Sequence, residues 1–157
     1  MFTMTEIFEM ALRLEENGEA YYRQAAEHAR SCGMPQKVAD LWKKLAEDER
    51  EHRKMFMEMK KSFLQGTDID IKEKVGSWYI VEAIGNRLFS FDPACAFSAS
   101  EPKDIIGIAR GVEEDSIRFY EFLRKLVDNE TVLSIIKRII DEERGHVEHL
   151  DRLLAGL

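Results

Sequence analysis

Glu49-Arg50-Glu51-His52 and Glu143-Arg144-Gly145-His146 repeat one pattern, Glu-x-x-His, 94 positions apart. Residues three apart on a helix share a face, so each phrase can turn a carboxylate and an imidazole toward one point. Those groups are ligands for divalent first-row metals. One such phrase is common by chance, but two copies at matched positions are a specific signal. Two further glutamates, Glu15 and Glu113, have the same standing, each the single carboxylate in a helical stripe of apolar, aromatic or small residues. Four carboxylates and two neutral imidazoles supply about −4 of charge, which balances two divalent ions.

The elements that must position these residues are legible as stripes with alternating three- and four-residue steps, the spacing of a face turned to the middle of a bundle. The first runs Phe8, Ala11, Glu15, Gly18, Tyr22, Ala25, Ala29, and the second Val38, Trp42, Leu45, Glu49, His52, Phe56, Met59, Phe63. The third runs Ile106, Ala109, Glu113, Ser116, Tyr120, Leu123, Val127, and the fourth Val132, Ile136, Ile139, Glu143, His146, Leu150, Leu153. Burying an unpartnered ionised group costs several kcal/mol or more, which a marginally stable domain cannot absorb several times over. No Lys or Arg stands in these stripes near the six positions. Metal cations are the remaining counter-charge.

Breakers give the helices their ends. The first is expected over about 5–30, ending at Ser31-Cys32-Gly33-Met34-Pro35, and the second over about 36–64, stopping before Gly66. Ser100-Glu101-Pro102 opens the third, which runs to about Val127, and Asp128-Asn129 turns the chain into the fourth, over about 130–154. Short turns make antiparallel hairpins, while the stretch from Gly66 to Ser100 is a long crossover in which Lys74 to Phe89 is expected to form a short helix. The fold class is therefore all-α: a four-helix bundle with one long crossover connection. Glu15 and Glu113 each precede their turn by about 15 residues, and Glu49 and Glu143 each follow their helix start by about 13, so all lie level, roughly 20 Å along the helices. The two halves also match internally, Glu15 to Tyr22 with Glu113 to Tyr120 at an offset of 98. The chain reads as a duplicated helical hairpin.

Composition agrees with one soluble globular domain over 1–157. Hydrophobic residues make up 45% and charged residues 34%, too apolar for a disordered chain and too charged for a membrane bundle. With 23 Lys+Arg against 30 Asp+Glu the net charge is −7, which disfavours nucleic acid and anionic lipid as partners. No apolar run approaches a membrane span, and the first ten residues carry no secretory pattern, so a cytoplasmic location is expected. Cys32 and Cys95 form no CxxC motif and are expected as free thiols.

At the quoted residues the chain resembles the ferritin-like superfamily, and Ala11-x-x-x-Glu15 to Tyr22, Glu49-x-x-His52, Ala109-x-x-x-Glu113 to Tyr120 and Glu143-x-x-His146 are most similar to the rubrerythrin type. The resemblance spans nearly the whole chain. It implies a ferritin-like bundle with a non-haem di-iron centre, in which Glu49 and Glu143 bridge, Glu15 and Glu113 are terminal, and His52 and His146 each hold one iron; zinc or manganese are possible substitutes. It further implies an oxidoreductase acting on hydrogen peroxide or dioxygen, with an iron-holding protein without turnover as the alternative. Rubrerythrins carry a rubredoxin domain with paired CxxC motifs, and none stands here, so the expected electron donor is a separate protein such as a rubredoxin. Bacterioferritins place a haem-ligating Met after the second-helix Glu, where this chain has Arg50, so no haem is expected.

Other residues have plainer readings. Tyr22 and Tyr120 can donate hydrogen bonds to ligand carboxylates or serve simply as core. Glu16, Glu114 and Glu142, each one position from a stripe glutamate, are expected on the solvated face, as is His149 near its helix end. The resemblance further implies a Glu one turn before Glu113 in rubrerythrins that reduce peroxide, where this chain has Arg110, so a weaker preference for peroxide is expected, and Arg110→Glu is expected to raise it if its side chain reaches the site. Trp78, Tyr79, Phe89, Phe91 and Phe97 crowd the crossover, which suggests a covered apolar patch or a homodimer contact.

Overall fold

The structure, a computed structural model, describes residues 4–65 and 101–157. Four helices account for nearly all of them: α1 (Met4–Ser31), α2 (Gln36–Gln65), α3 (Pro102–Leu126) and α4 (Glu130–Ala155), with no strand among the described residues. The expected short helix over 74–89 and the aromatic residues of the crossover lie outside the described residues.

Each helix end has a local cause. Gly33 takes φ 67°, and Met34 N–H donates to Ala29 O at 2.9 Å while Gly33 N–H donates to Arg30 O at 3.1 Å, so the last carbonyls of α1 are satisfied as the chain reverses. Pro102 occupies the first turn of α3, where its missing N–H costs nothing, and the Glu101 N–H is taken up by Asp104 Oδ2 at 3.3 Å. Asn129 Oδ1 accepts from Val132 N–H at 3.1 Å and opens α4. These short connections make α1 pack on α2 and α3 on α4 as antiparallel hairpins.

The apolar core is split in two. One cluster joins Phe8 and Leu14 of α1 to Phe56 of α2, Tyr120 of α3 and Ile136 of α4. The other joins Tyr22 and Ala25 of α1 to Trp42 of α2, Ile106 of α3 and Leu150 of α4. Between them, at one level, each helix turns a carboxylate inward. The hairpins are tied on either side of this level, in one cluster by Tyr21, whose hydroxyl donates to Ile105 O at 2.7 Å, and in the other by contact of the Phe56 and Tyr120 rings at 5.0 Å. No helix among the described residues is long and apolar enough to cross a membrane.

Candidate metal centre

Glu15 and Glu113 enter from α1 and α3, Glu49 and His52 from α2, and Glu143 and His146 from α4; all six are at most 4% exposed. Their donor atoms fall into two sets, Glu15, Glu49, His52, Glu143 and Glu49, Glu113, Glu143, His146, with the atoms of each set within 4.8 Å of one another. Glu49 and Glu143 belong to both. The two imidazole rings face each other, nearly parallel, with centroids 6.0 Å apart.

His52 Nδ1 lies 3.5 Å from Glu15 Oε2 and 3.3 Å from Glu143 Oε1. His146 Nδ1 lies 2.9 Å from Glu143 Oε2, 3.2 Å from Glu113 Oε1 and 3.4 Å from Glu49 Oε1. These approaches are not hydrogen bonds. Both Nδ1 atoms, both Glu143 oxygens, Glu15 Oε2 and Glu49 Oε1 are buried without a hydrogen-bond partner. Buried polar atoms are rarely left so, and an unsatisfied charged group costs more than a neutral one. Two divalent cations shared among the carboxylates would engage these orphaned atoms, so the residues present fit a metal pair.

Without metal, the carboxylates and imidazoles perturb one another strongly. Burial, reinforced by the charge of Glu143, pushes the Glu113 carboxyl up to about 8, and burial with Glu143, Glu15 and Glu113 raises Glu49 well above the usual range. Burial opposes ionisation of Glu143 too, but His146 and His52 outweigh it and hold that carboxyl well below its usual range. For His52 burial disfavours protonation, yet Glu143 and Glu15 win and push it up to about 12. The site concentrates negative charge and balances it, metal-free, only with protons.

The family model for rubrerythrin matches residues 6–154. This chain belongs to the rubrerythrin family. A solved Thermotoga maritima structure, named as a ferritin-like diiron-carboxylate protein, is similar with a TM-score of 0.74 and 25% identity, covering 98% of this chain and 95% of that one. A search of curated protein sequences found no match. The bundle is thus of the ferritin-like diiron type, and its buried carboxylates and histidines form a candidate di-metal site within a rubrerythrin fold.

Around this rubrerythrin-type centre the structure places further groups. Tyr22 of α1 donates to Glu113 Oε1 on α3, and Tyr120 of α3 donates to Glu15 Oε1 on α1, a reciprocal pair of bonds across the hairpins. Tyr22 is held by stacking on Trp42 at 5.7 Å, and Tyr120 by Phe56. The outer nitrogen of each histidine also meets a carboxylate. His52 Nε2 is 2.7 Å from Glu142 Oε2, and His146 Nε2 is 3.3 Å from Asp48 Oδ2. Such partners fix which ring nitrogen is free to ligate.

Nothing in the sequence singles out Asp48, and its position beside Glu143 predicts Glu142 on the solvated face. Its side chain is indeed 43% exposed, but its carboxylate end turns back to His52. The sequence signal is weak because each partner sits next to a stripe glutamate of its own helix while serving the histidine of the facing one. For Arg110 the condition that its side chain reach the site is not met. Its guanidinium pairs with Asp151 and Glu114, both at 2.6 Å, on the outside of the bundle, so this position does not point into the site. Glu16 and His149 are exposed as expected.

Proposed function

We propose that this rubrerythrin-family protein is a non-haem di-iron oxidoreductase that reduces hydrogen peroxide or dioxygen, with electrons from a separate donor such as a rubredoxin. The observation that carries the reading is the pair of four-atom donor sets sharing Glu49 and Glu143, with orphaned donor atoms turned into the space between them. A bound iron pair would supply reversible ferrous–ferric electron transfer to a small oxidant. Glu15, Glu49, His52 and Glu143 would hold one ion, and Glu49, Glu113, Glu143 and His146 the other. Zinc or manganese would occupy the same donors, and no haem is required.

The chain's own residues do the rest. Tyr120 holds Glu15 Oε1 and leaves Oε2 turned toward His52 and the centre, while Tyr22 orients Glu113 through Oε1, the oxygen that also faces His146 Nδ1. Glu142 and Asp48 hold the Nε2 edges of the histidines, so that Nδ1 faces the centre. The apolar clusters above and below exclude water along the bundle axis and strengthen every electrostatic contact between them. We place the protein in the cytoplasm as a homodimer.

Iron-loaded protein, reduced anaerobically and mixed in a stopped-flow instrument with peroxide or dioxygen, tests the reading. Rapid oxidation of two irons per chain, followed by re-reduction by rubredoxin, is expected. A protein that binds two irons and is oxidised by neither reagent is an iron-holding protein instead.

A further inference from the structure

Gly18 lies in the interior of α1, one turn after Glu15 and on the same face. Glycine weakens a helix there through its backbone freedom, and nothing in the local backbone asks for it, since among the described residues only Gly33 has positive φ. Its neighbours explain it. A Cβ at Gly18 would stand 2.8 Å from Glu49 Oε2, 3.1 Å from Cδ and 3.3 Å from Cγ, closer than side chains pack. At Gly107, Gly111 and Gly145 a Cβ would meet nothing within 4 Å. The missing side chain at Gly18 is thus a cradle filled by one carboxylate, and that carboxylate belongs to both donor sets. In the other hairpin the matching position, 98 residues on, is the buried Ser116, which has a Cβ.

We infer that Gly18 is a positioning residue for the metal pair: by leaving room for the Glu49 carboxylate it sets the one place from which Glu49 reaches both ions, and any larger residue drives Glu49 off at least one of them. This rests on the two-metal reading above. The obstructed atoms are the far end of a flexible side chain, so Gly18→Ala is accommodated by a swing of Glu49 and leaves the backbone in place. Fold and metal binding then respond differently. Alanine favours the helix, whereas the displaced carboxylate weakens the site.

Anaerobic titration of the full-length protein with ferrous iron, together with thermal melts of the metal-stripped protein, separates the two effects. Wild type should bind two irons; if it does not, the two-metal reading fails. Gly107→Ala should raise the stripped melting temperature by roughly 2–4 °C and leave iron binding unchanged. Gly18→Ala should melt no lower than wild type yet bind at least one iron about 10–100-fold more weakly. In a Glu49→Ala background Gly18→Ala should have no further effect on iron binding, because the side chain it obstructs is gone. Two-iron binding by Gly18→Ala within about twofold of wild type, or an equal loss with and without the Glu49 side chain, overturns the inference and leaves the two-metal reading standing.

Discussion

The two hairpins present the same inward residues, Glu15, Glu49 and His52 in α1–α2 and Glu113, Glu143 and His146 in α3–α4, but support them differently. Glu49 lies against Gly18, while Ser116 fills the matching position in the second hairpin. His52 is held at 2.7 Å by the half-exposed Glu142, and His146 at 3.3 Å by Asp48, which also pairs with Lys44 at 2.6 Å. Tyr22 leans on Trp42 of its own hairpin, Tyr120 on Phe56 of the other. The donor atoms are tied to the charge and ligand preferences of a metal pair, which allow little variety. The layer behind them need only offer an acceptor, a ring or a gap. The internal symmetry is strict where donors converge and loose one residue further out.

The strongest test of that symmetry is removal of a shared carboxylate. Glu49 and Glu143 come from different hairpins but belong to both donor sets. Glu49→Ala and Glu143→Ala should therefore each lower metal content from two ions per chain toward one or fewer, whereas Glu15→Ala and Glu113→Ala should affect mainly one ion. Elemental analysis of the four purified variants decides this. Full two-ion loading of either shared-carboxylate variant would remove the case for bridging.

Next in size is the response of the metal-stripped protein to pH, which treats the two hairpins as one charged cluster. Glu113 is pushed from 4.5 up to about 8, Glu49 is raised as well, and His52 is pushed from 6.5 up to about 12. A group whose folded pKa is raised adds stability that is complete below its unfolded value and is lost as pH climbs through the folded one. Glu143, held low, adds stability that is present above its unfolded value and is lost as pH falls from there through the folded one, below this window. The stripped protein should thus melt several degrees higher at pH 5 than at pH 8. Metal affinity should run the other way, since ions compete with the same protons. A stripped melting temperature that rises from pH 5 to pH 8 contradicts this balance.

The outer carboxylates sharpen the contrast between hairpins. Glu142→Ala should weaken the ion on the His52 side, and Asp48→Ala the ion on the His146 side, each within about 10–100-fold. The loss should be larger for Glu142, whose contact is shorter and whose competing Arg138 lies farther off at 3.5 Å. Two-site fits of anaerobic ferrous titrations give both constants. Equal losses at both ions from either variant would mean that the outer pairs do not act on separate histidines.

Much of this architecture can be read from the chain. The end of α1 and the starts of α2, α3 and α4 fall within two residues of the positions expected from Gly33-Met34-Pro35, Pro102 and Asn129, because capping and proline chemistry are local. The six inward residues are legible because a carboxylate or histidine inside an apolar stripe is a conflict that needs a partner. Asp48, Glu142 and the role of Gly18 are not legible in the same way. Each acts on a different helix from its own, so its partner depends on how the helices face one another, which no periodicity along one helix encodes. Arg110 shows the converse: spacing of one turn from Glu113 is not sufficient, since the three-residue step alone does not settle whether a long side chain turns inward.

Arg110 also provides the smallest expected effect. At the matching position of the first hairpin, 98 residues earlier, stands Leu12, partly buried against the core, whereas Arg110 bonds Asp151 and Glu114 at the bundle surface. Surface pairs of this kind contribute little, because water and salt screen them. Arg110→Glu should therefore shift the melting temperature by no more than a few degrees and leave metal content unchanged. It should also leave the ratio of peroxide to dioxygen oxidation rates within about twofold of wild type, since a glutamate placed there meets Asp151 and Glu114 and is repelled outward rather than drawn toward the donors. Stopped-flow oxidation of both proteins with each oxidant measures that ratio. A large change in it would mean that position 110 communicates with the centre by a route that its outward ion pairs do not reveal.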